Sequence, residues 1–244
     1  VEFFKKHYSP NNLTAAIVGD VDPQEAKKYA DMYFGALPRG PVSEPVETVE
    51  PTQLGERRIV LKDMAQPMII IGFHTVSINH PDNAAFDVLN DILSSGRTSR
   101  LYKSLIKDKK IAVSASASGG FPGEKYPGLF AFFALPSRGH TNAECEQAIN
   151  EQIQLLKNEP VTDDELQKAK TRVRAGLIRQ LGSNMGLARQ LASYEVLTGD
   201  WRNLFKRIDE IDKISAADIQ RIAKEYFIEK NRTVGAIETI TEKN

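Results

Sequence analysis

From Ile111 to Ser118 the chain alternates: Ile111, Val113, Ala115 and Ala117 fall on one side of an extended backbone, and Ser114, Ser116 and Ser118 on the other. A repeat of two is that of a β-strand, and such alternation belongs to a sheet with one face packed and the other open to water or a cavity. The apolar row is expected to face helices, which need cover, leaving a serine-lined face on which a ligand can lie. Before this strand, Thr98–Lys107 reads as an amphipathic helix. After it, Leu129–Leu135 reads as a second strand, returning across the loop from Gly119 to Gly128.

Elsewhere the pattern is punctuated by turns and caps. Residues 1–7 read as the end of a helix, broken at Ser9-Pro10-Asn11-Asn12, with Leu13–Val18 as a short buried strand. Asp22-Pro23-Gln24-Glu25 supplies an N-cap, a proline at the first helical position and a glutamate at the third, starting a helix to about Leu37. Pro38, Pro41, Pro45 and Pro51 then interrupt regular structure, so residues 1–37 form a lead-in helix–strand–helix, 38–56 a Pro-rich linker and 57–244 the main domain. The chain opens on Val1 inside an element and reads as cut from something longer.

Arg57–Lys62, Met68–His74 and Thr233–Ile237 read as strands, and Asp82–Ser94, Met185–Leu197 and Ala216–Tyr226 as helices. Thr141-Asn142-Ala143-Glu144 and Thr162-Asp163-Asp164-Glu165 are capping boxes opening two long helices, the second with a core-facing stripe of Leu166, Ala169, Val173, Leu177 and Leu181. Together these predict an α+β fold, an antiparallel or mixed sheet with helices packed on one face.

Composition narrows the chemistry. Among 244 residues, 32 Lys and Arg balance 32 Asp and Glu, so the chain lacks the basic field that nucleic-acid binding demands. The longest apolar runs, 67–73 and 129–135, are far short of the ~18 residues of a membrane helix, so no transmembrane segment is expected. Cys145, the one cysteine, excludes an intramolecular disulfide and a cysteine zinc site, and its glutamate neighbours disfavour a reactive thiolate.

His7, His74, His80 and His140 are scattered singly, without the helical spacing that gathers ligands around zinc. Gly96-Arg97-Thr98-Ser99-Arg100 resembles a phosphate cradle but lacks the Gly-Lys-Ser/Thr ending, and reads as a helix start. Lys168, Lys170, Arg172, Arg174 and Arg179 follow Asp163, Asp164 and Glu165, the charge order of a solvated, dipole-matched helix. No Gly-x-Ser-x-Gly elbow occurs, and Trp201 reads as a packing anchor at a helix junction. These spacings describe a domain without a self-contained active site.

Three ordered segments carry a family resemblance. Tyr8-Ser9-Pro10-Asn11-Asn12-Leu13 with Val18-Gly19-Asp20, Ser99-Arg100-Leu101-Tyr102 with Ile111-Ala112-Val113-Ser114, and Val161-Thr162-Asp163-Asp164-Glu165-Leu166-Gln167-Lys168-Ala169-Lys170 together resemble the M16 (insulinase, pitrilysin, mitochondrial processing peptidase) zinc metallopeptidases. The likeness is to the C-terminal half of a short bacterial member.

The resemblance implies that zinc and its His-x-x-Glu-His motif belong to an N-terminal domain outside this chain, whose end is residues 1–37, and that 57–244 is the C-terminal domain. It implies two halves closing around an extended peptide, with zinc-bound water, activated by the motif's glutamate, attacking the peptide carbonyl. In many members this half carries an arginine and a tyrosine, seven residues apart, that hold the substrate carbonyl. The matching positions here are Ile106 and Val113, which donate no hydrogen bond. The expected partners are therefore the chain's own N-terminal domain, a peptide substrate and a homologous M16 subunit bearing the Arg/Tyr pair, in the periplasm or cytoplasm of a bacterium. A non-catalytic M16-like scaffold and an unrelated α+β peptide-binding module are the alternatives.

Overall fold

The computed structural model describes residues 1–42, 46 and 48–240. The chain divides into two compact units, residues 1–52 with 178–204 and residues 53–177 with 205 onward.

In the first unit, α1 (Glu2–His7) leads through a 3-10 turn (Pro10–Asn12) to α2 (Pro23–Phe34). The Asp22 carboxylate caps α2, accepting from the backbone N–H groups of Gln24 and Glu25 at 2.8 Å each. The helix stops at Phe34 rather than near Leu37, with Gly35 as its C-cap. The segment Leu13–Val18 corrects the sequence reading. It forms no strand, and Leu13 and Ile17 stand 59% and 61% exposed. A strand exists only where another pairs with it, and none of the five strands does. Between residues 38 and 56 the described positions have no helix or strand, while Ser43, Glu44, Pro45 and Glu47 lie outside the described residues. The unit also contains α6 (Asn184–Thr198), opened by the Ser183 hydroxyl on Gly186 N–H and closed by Gly199 at φ 79°.

The second unit is built on five strands, β1 (Arg57–Asp63), β2 (Met68–His74), β3 (Ala112–Phe121), β4 (Leu129–Pro136) and β5 (Arg232–Thr239), in the order β1-β5-β2-β4-β3. Only β1 and β5 run parallel; the other pairs are antiparallel. Ile69, Ile71 and Phe73 of β2, Phe130 and Phe132 of β4 and Val234 of β5 turn to one face and are buried. There they meet α3 (Asn83–Ser94), α4 (Asn142–Asn158) and α8 (Ala216–Tyr226) through Leu89, Leu93, Ile149, Leu156, Ile219 and Ile222. Phe227, just past α8, sets its ring 5.0, 5.2 and 5.6 Å from Phe73, Phe130 and Phe132. Each such side chain contributes about 1.5–3 kcal/mol by leaving water.

Both expected capping boxes form, at Thr141/Glu144 of α4 and at Thr162/Glu165, which opens α5 (Asp163–Leu181). Two elements differ from the sequence reading. The helix expected at Thr98–Lys107 winds as a π-helix over Tyr102–Asp108, with Lys109 N–H donating to Ser104 O at 3.0 Å. The wider turn accommodates one extra residue while Leu101, Leu105 and Ile111 all stay in the core. The helix α7 (Asn203–Lys213) lies outside the sequence reading, although Leu204, Ile208 and Ile211 follow a helical period. Its buried positions are Leu204, Arg207 and Ile211.

Candidate substrate-facing wall

β3 forms one edge of the sheet. Its register moves from Ala112↔Pro136 to Ser114↔Leu135, making Val113 the extra residue of a bulge. Before the bulge Ala112 is buried; after it the alternation holds, with Ala115 and Ala117 packed toward the helices and Ser114 and Ser116 exposed on the open face. Ser118 is half-buried. The expected apolar row is thus realised at Ala115 and Ala117 and broken at Val113, which is 57% exposed. The Ala117 N–H donates to the Ser94 hydroxyl at 3.0 Å, so the end of α3 occupies one amide of this edge.

The approach to the bulge is pinned from below. Ser137 donates its N–H to Ile111 O and its hydroxyl to Lys110 O, each at 2.8 Å, and Lys110 sits at φ 55°. Cys145 is fully buried and directs its thiol at Ile111 O, 3.6 Å away. Burial, with a smaller contribution from the Glu144 charge, pushes that thiol up to about 11, so it is a packing group and not a nucleophile. Arg100, at the start of the helical turn, grips Glu165 through Nε and Nη2 at 3.0 and 2.8 Å. This grip holds the Glu165 carboxyl below the usual glutamate value. Lys109 pairs with Glu151 on α4. Of the two positions singled out by the resemblance, Ile106 is half-buried against the core and Val113 is presented to solvent.

Across the rest of the open face, Ile59, Leu61, Met68, Ile70 and Ile237 line an apolar groove of about 190 Å³. The remaining sequence candidates resolve into structural roles. Ser99 is buried, its hydroxyl donating to Gly96 O at 2.8 Å, and Arg100 is committed to Glu165, so no cradle is left open there. The basic residues of α5 are not simply solvated: Arg172 pairs with Asp91, Arg174 with Asp212, and Lys170 is buried with its ammonium on Asp212 O at 2.8 Å. Trp201, at the junction of α6 and α7, is 39% exposed with the Arg202 guanidinium 4.5 Å over its ring.

Sequence reasoning missed one charged cluster. Buried Arg207 donates to Asp87 at 2.7 Å and to Asn83. Burial pushes the carboxyl of nearby Glu124 up, the Asp87 charge adding to the effect. No sequence spacing links these residues. Among the described residues, no group of three or more His, Cys, Asp or Glu is placed to hold a metal ion.

Comparison with known proteins follows the geometry. The model of the Peptidase M16 inactive domain matches residues 1–173. Zinc protease PqqE of Helicobacter pylori is 27% identical over 240 residues, 95% of this chain and 52% of that protein. The beta subunit of the mitochondrial-processing peptidase of Saccharomyces cerevisiae is 23% identical over 232 residues, 89% of this chain and 50% of that protein. The crystal structure of a protease from Helicobacter pylori superposes with a TM-score of 0.89 at 25% identity, over 97% of this chain and 58% of that one. The chain spans about half the length of the curated relatives it matches.

Proposed function

This chain belongs to the M16 peptidase family, as a Peptidase M16 inactive domain, and on that premise we propose that it forms the zinc-free wall of a metalloendopeptidase chamber. In this reading zinc is held by a preceding N-terminal domain, and among the described residues of this chain no ligand set for it is assembled. The N-terminal domain ends within residues 1–37, residues 38–56 link the two, and the sheet and helices from residue 57 onward enclose an extended peptide.

One observation carries the assignment of residues 1–37. α2 buries no residue, and Tyr29, Met32, Tyr33, Phe34 and, just beyond it, Leu37 are 46–68% exposed. An amphipathic helix with its apolar side in water needs a hydrophobic partner, and the unpaired Leu13–Val18 segment beside it in sequence needs a sheet. A preceding domain supplies both.

The wall encloses rather than polarises. At the positions where many relatives place an arginine and a tyrosine, Ile106 and Val113 have no donor to offer a carbonyl developing negative charge. Catalysis therefore calls for a homologous M16 subunit that brings those donors to the peptide. The direct test is peptide hydrolysis by the longer parent protein, with and without such a subunit. Activity only in the pair is expected, and full activity of the parent alone refutes the division of labour. The donor-free wall equally suits a non-catalytic M16-like scaffold. A parent that lacks His-x-x-Glu-His ahead of Val1 and binds no zinc decides for that second reading.

A further inference from the structure

We propose that the turn ahead of the β3 bulge and the turn after β4 form a cationic patch, Lys107, Lys110 and Arg138, that binds acidic side chains of an extended peptide. It rests on the wall reading and names the class of peptide that the wall prefers. Ser137 brings the two turns together: its N–H on Ile111 O and its hydroxyl on Lys110 O, each at 2.8 Å, leave Arg138 beside Lys110. Lys107 lies three residues before Lys110, and all three cations are exposed. The bulge at Val113 follows on the same edge of the sheet.

The neighbouring carboxylates are committed elsewhere. Glu151 holds Lys109, Glu165 holds Arg100, and Glu144 is engaged by His140 and by the Thr141 cap. Asp108, between the lysines in sequence, lines the groove facing α4 together with Lys103 and Lys109. The side chains of Lys107, Lys110 and Arg138 make no ion pair or hydrogen bond among the described residues. Stability alone would not choose these residues. Lys110 holds φ 55°, a left-handed backbone that glycine or asparagine adopts at less cost, and like charges at the ends of neighbouring strands repel. Two unfavourable choices at one place point to a counter-charge from outside the chain. Ammonium and guanidinium groups donate without accepting, so a carboxylate is the complementary group. The position names its bearer: both lysines lie between Ile106 and Val113 in the chain, so a peptide laid along the β3 edge past Val113 runs onto the patch.

The test is fluorescence anisotropy on the longer parent protein at low salt, with EDTA present to stop hydrolysis. The probes are two labelled decapeptides that differ only in carrying three glutamates or three glutamines. The glutamate peptide should bind about tenfold more tightly, because several exposed ion pairs of modest worth add up, and the preference should shrink as salt is raised. Lys110→Gln/Arg138→Gln should bring the two peptides within about twofold of each other. Lys110→Glu/Arg138→Glu should turn the preference toward a lysine counterpart, with circular dichroism confirming each fold. Lys110→Gly, which suits φ 55°, should keep the urea midpoint and still lose part of the preference. A parent that binds neither peptide overturns the wall reading and the proposal together. A parent that binds both alike, or keeps its preference in the Gln double variant, overturns the proposal and leaves the wall reading standing. Heparin binding that the glutamate peptide fails to displace would overturn it in favour of a polyanion.

Discussion

Glu146→Ala removes the acceptor on which β1, β5 and α4 converge. Arg58 donates to both carboxylate oxygens, at 2.9 and 2.6 Å, and Arg232 donates to one of them. Glu56 holds the far sides of both guanidinium groups, 3.0 Å from Arg58 Nε and 2.8 Å from Arg232 Nη1. Charge-assisted bonds contribute about 1.5–3 kcal/mol each, and breaking a fully buried pair costs about 3–5 kcal/mol. Neither figure applies whole. Arg58 is 42% exposed and rehydrates when released, whereas Arg232 is 13% exposed and keeps Glu56. What remains is one buried guanidinium left half-satisfied and one strand-to-helix tie undone, about 2–3 kcal/mol. In a chain of this size that lowers Tm by roughly 5–10 °C. Urea denaturation followed by circular dichroism at pH 7 measures it, with Glu146→Gln, which keeps a neutral acceptor, losing about half as much. A loss under about 0.5 kcal/mol for Glu146→Ala, or a double-mutant cycle without coupling between Glu146 and Arg232, would refute the reasoning.

Two further outcomes follow from the charges and from the donor-free wall. The carboxyls of Asp82, Glu146 and Glu165 are each held below their ordinary values of 3.8, 4.5 and 4.5, chiefly by hydrogen bonds from Arg221, Arg58 and Arg100. Their contribution is whole above pH 4.5 and is lost as pH falls toward the depressed folded values, because the unfolded chain takes up protons first. Glu124 has the opposite sign: raised by burial, it destabilises the fold at neutral pH and is relieved as pH falls through its folded value. Glu124→Gln should accordingly raise the urea midpoint at pH 7 and flatten its rise as pH falls toward 4.5, and an unchanged profile would refute this account. Val113→Tyr, at an exposed bulge, is expected to cost under about 0.5 kcal/mol, and Ile106→Arg, half-buried, about 1–3 kcal/mol. In the longer parent the double variant should raise peptide turnover without a partner subunit, a gain that the wall reading requires.

What was legible in the sequence is what local chemistry decides. Asp22, Thr141 and Thr162 announce helix starts because a cap is satisfied within three residues, and each was found where expected. The alternation of β3 was legible for the same reason, as far as Ala115 and Ala117. It failed at Val113, where a bulge adds a residue that only the register against β4 reveals. The unpaired segment Leu13–Val18 failed in the complementary way: its strand-like residues are real, but a strand is a property of two segments, and the described residues supply one.

Arg207 shows the same limit for charge. On a helix wheel it contradicts the apolar face of α7, and beside Glu210 one turn on, its partners are Asp87 and Asn83, more than a hundred residues earlier. The candidate wall lies on the non-local side of this divide. Ile106 and Val113 are adjacent to a readable helix and strand, yet the π-turn and the bulge that direct one inward and the other to water are set by Leu101, Leu105 and Ile111 competing for the core. A wall shaped by core packing rather than by its own polar residues can lose its donors without losing its fold. On the reading proposed above, that is why a family member can keep the wall while another chain supplies the donors.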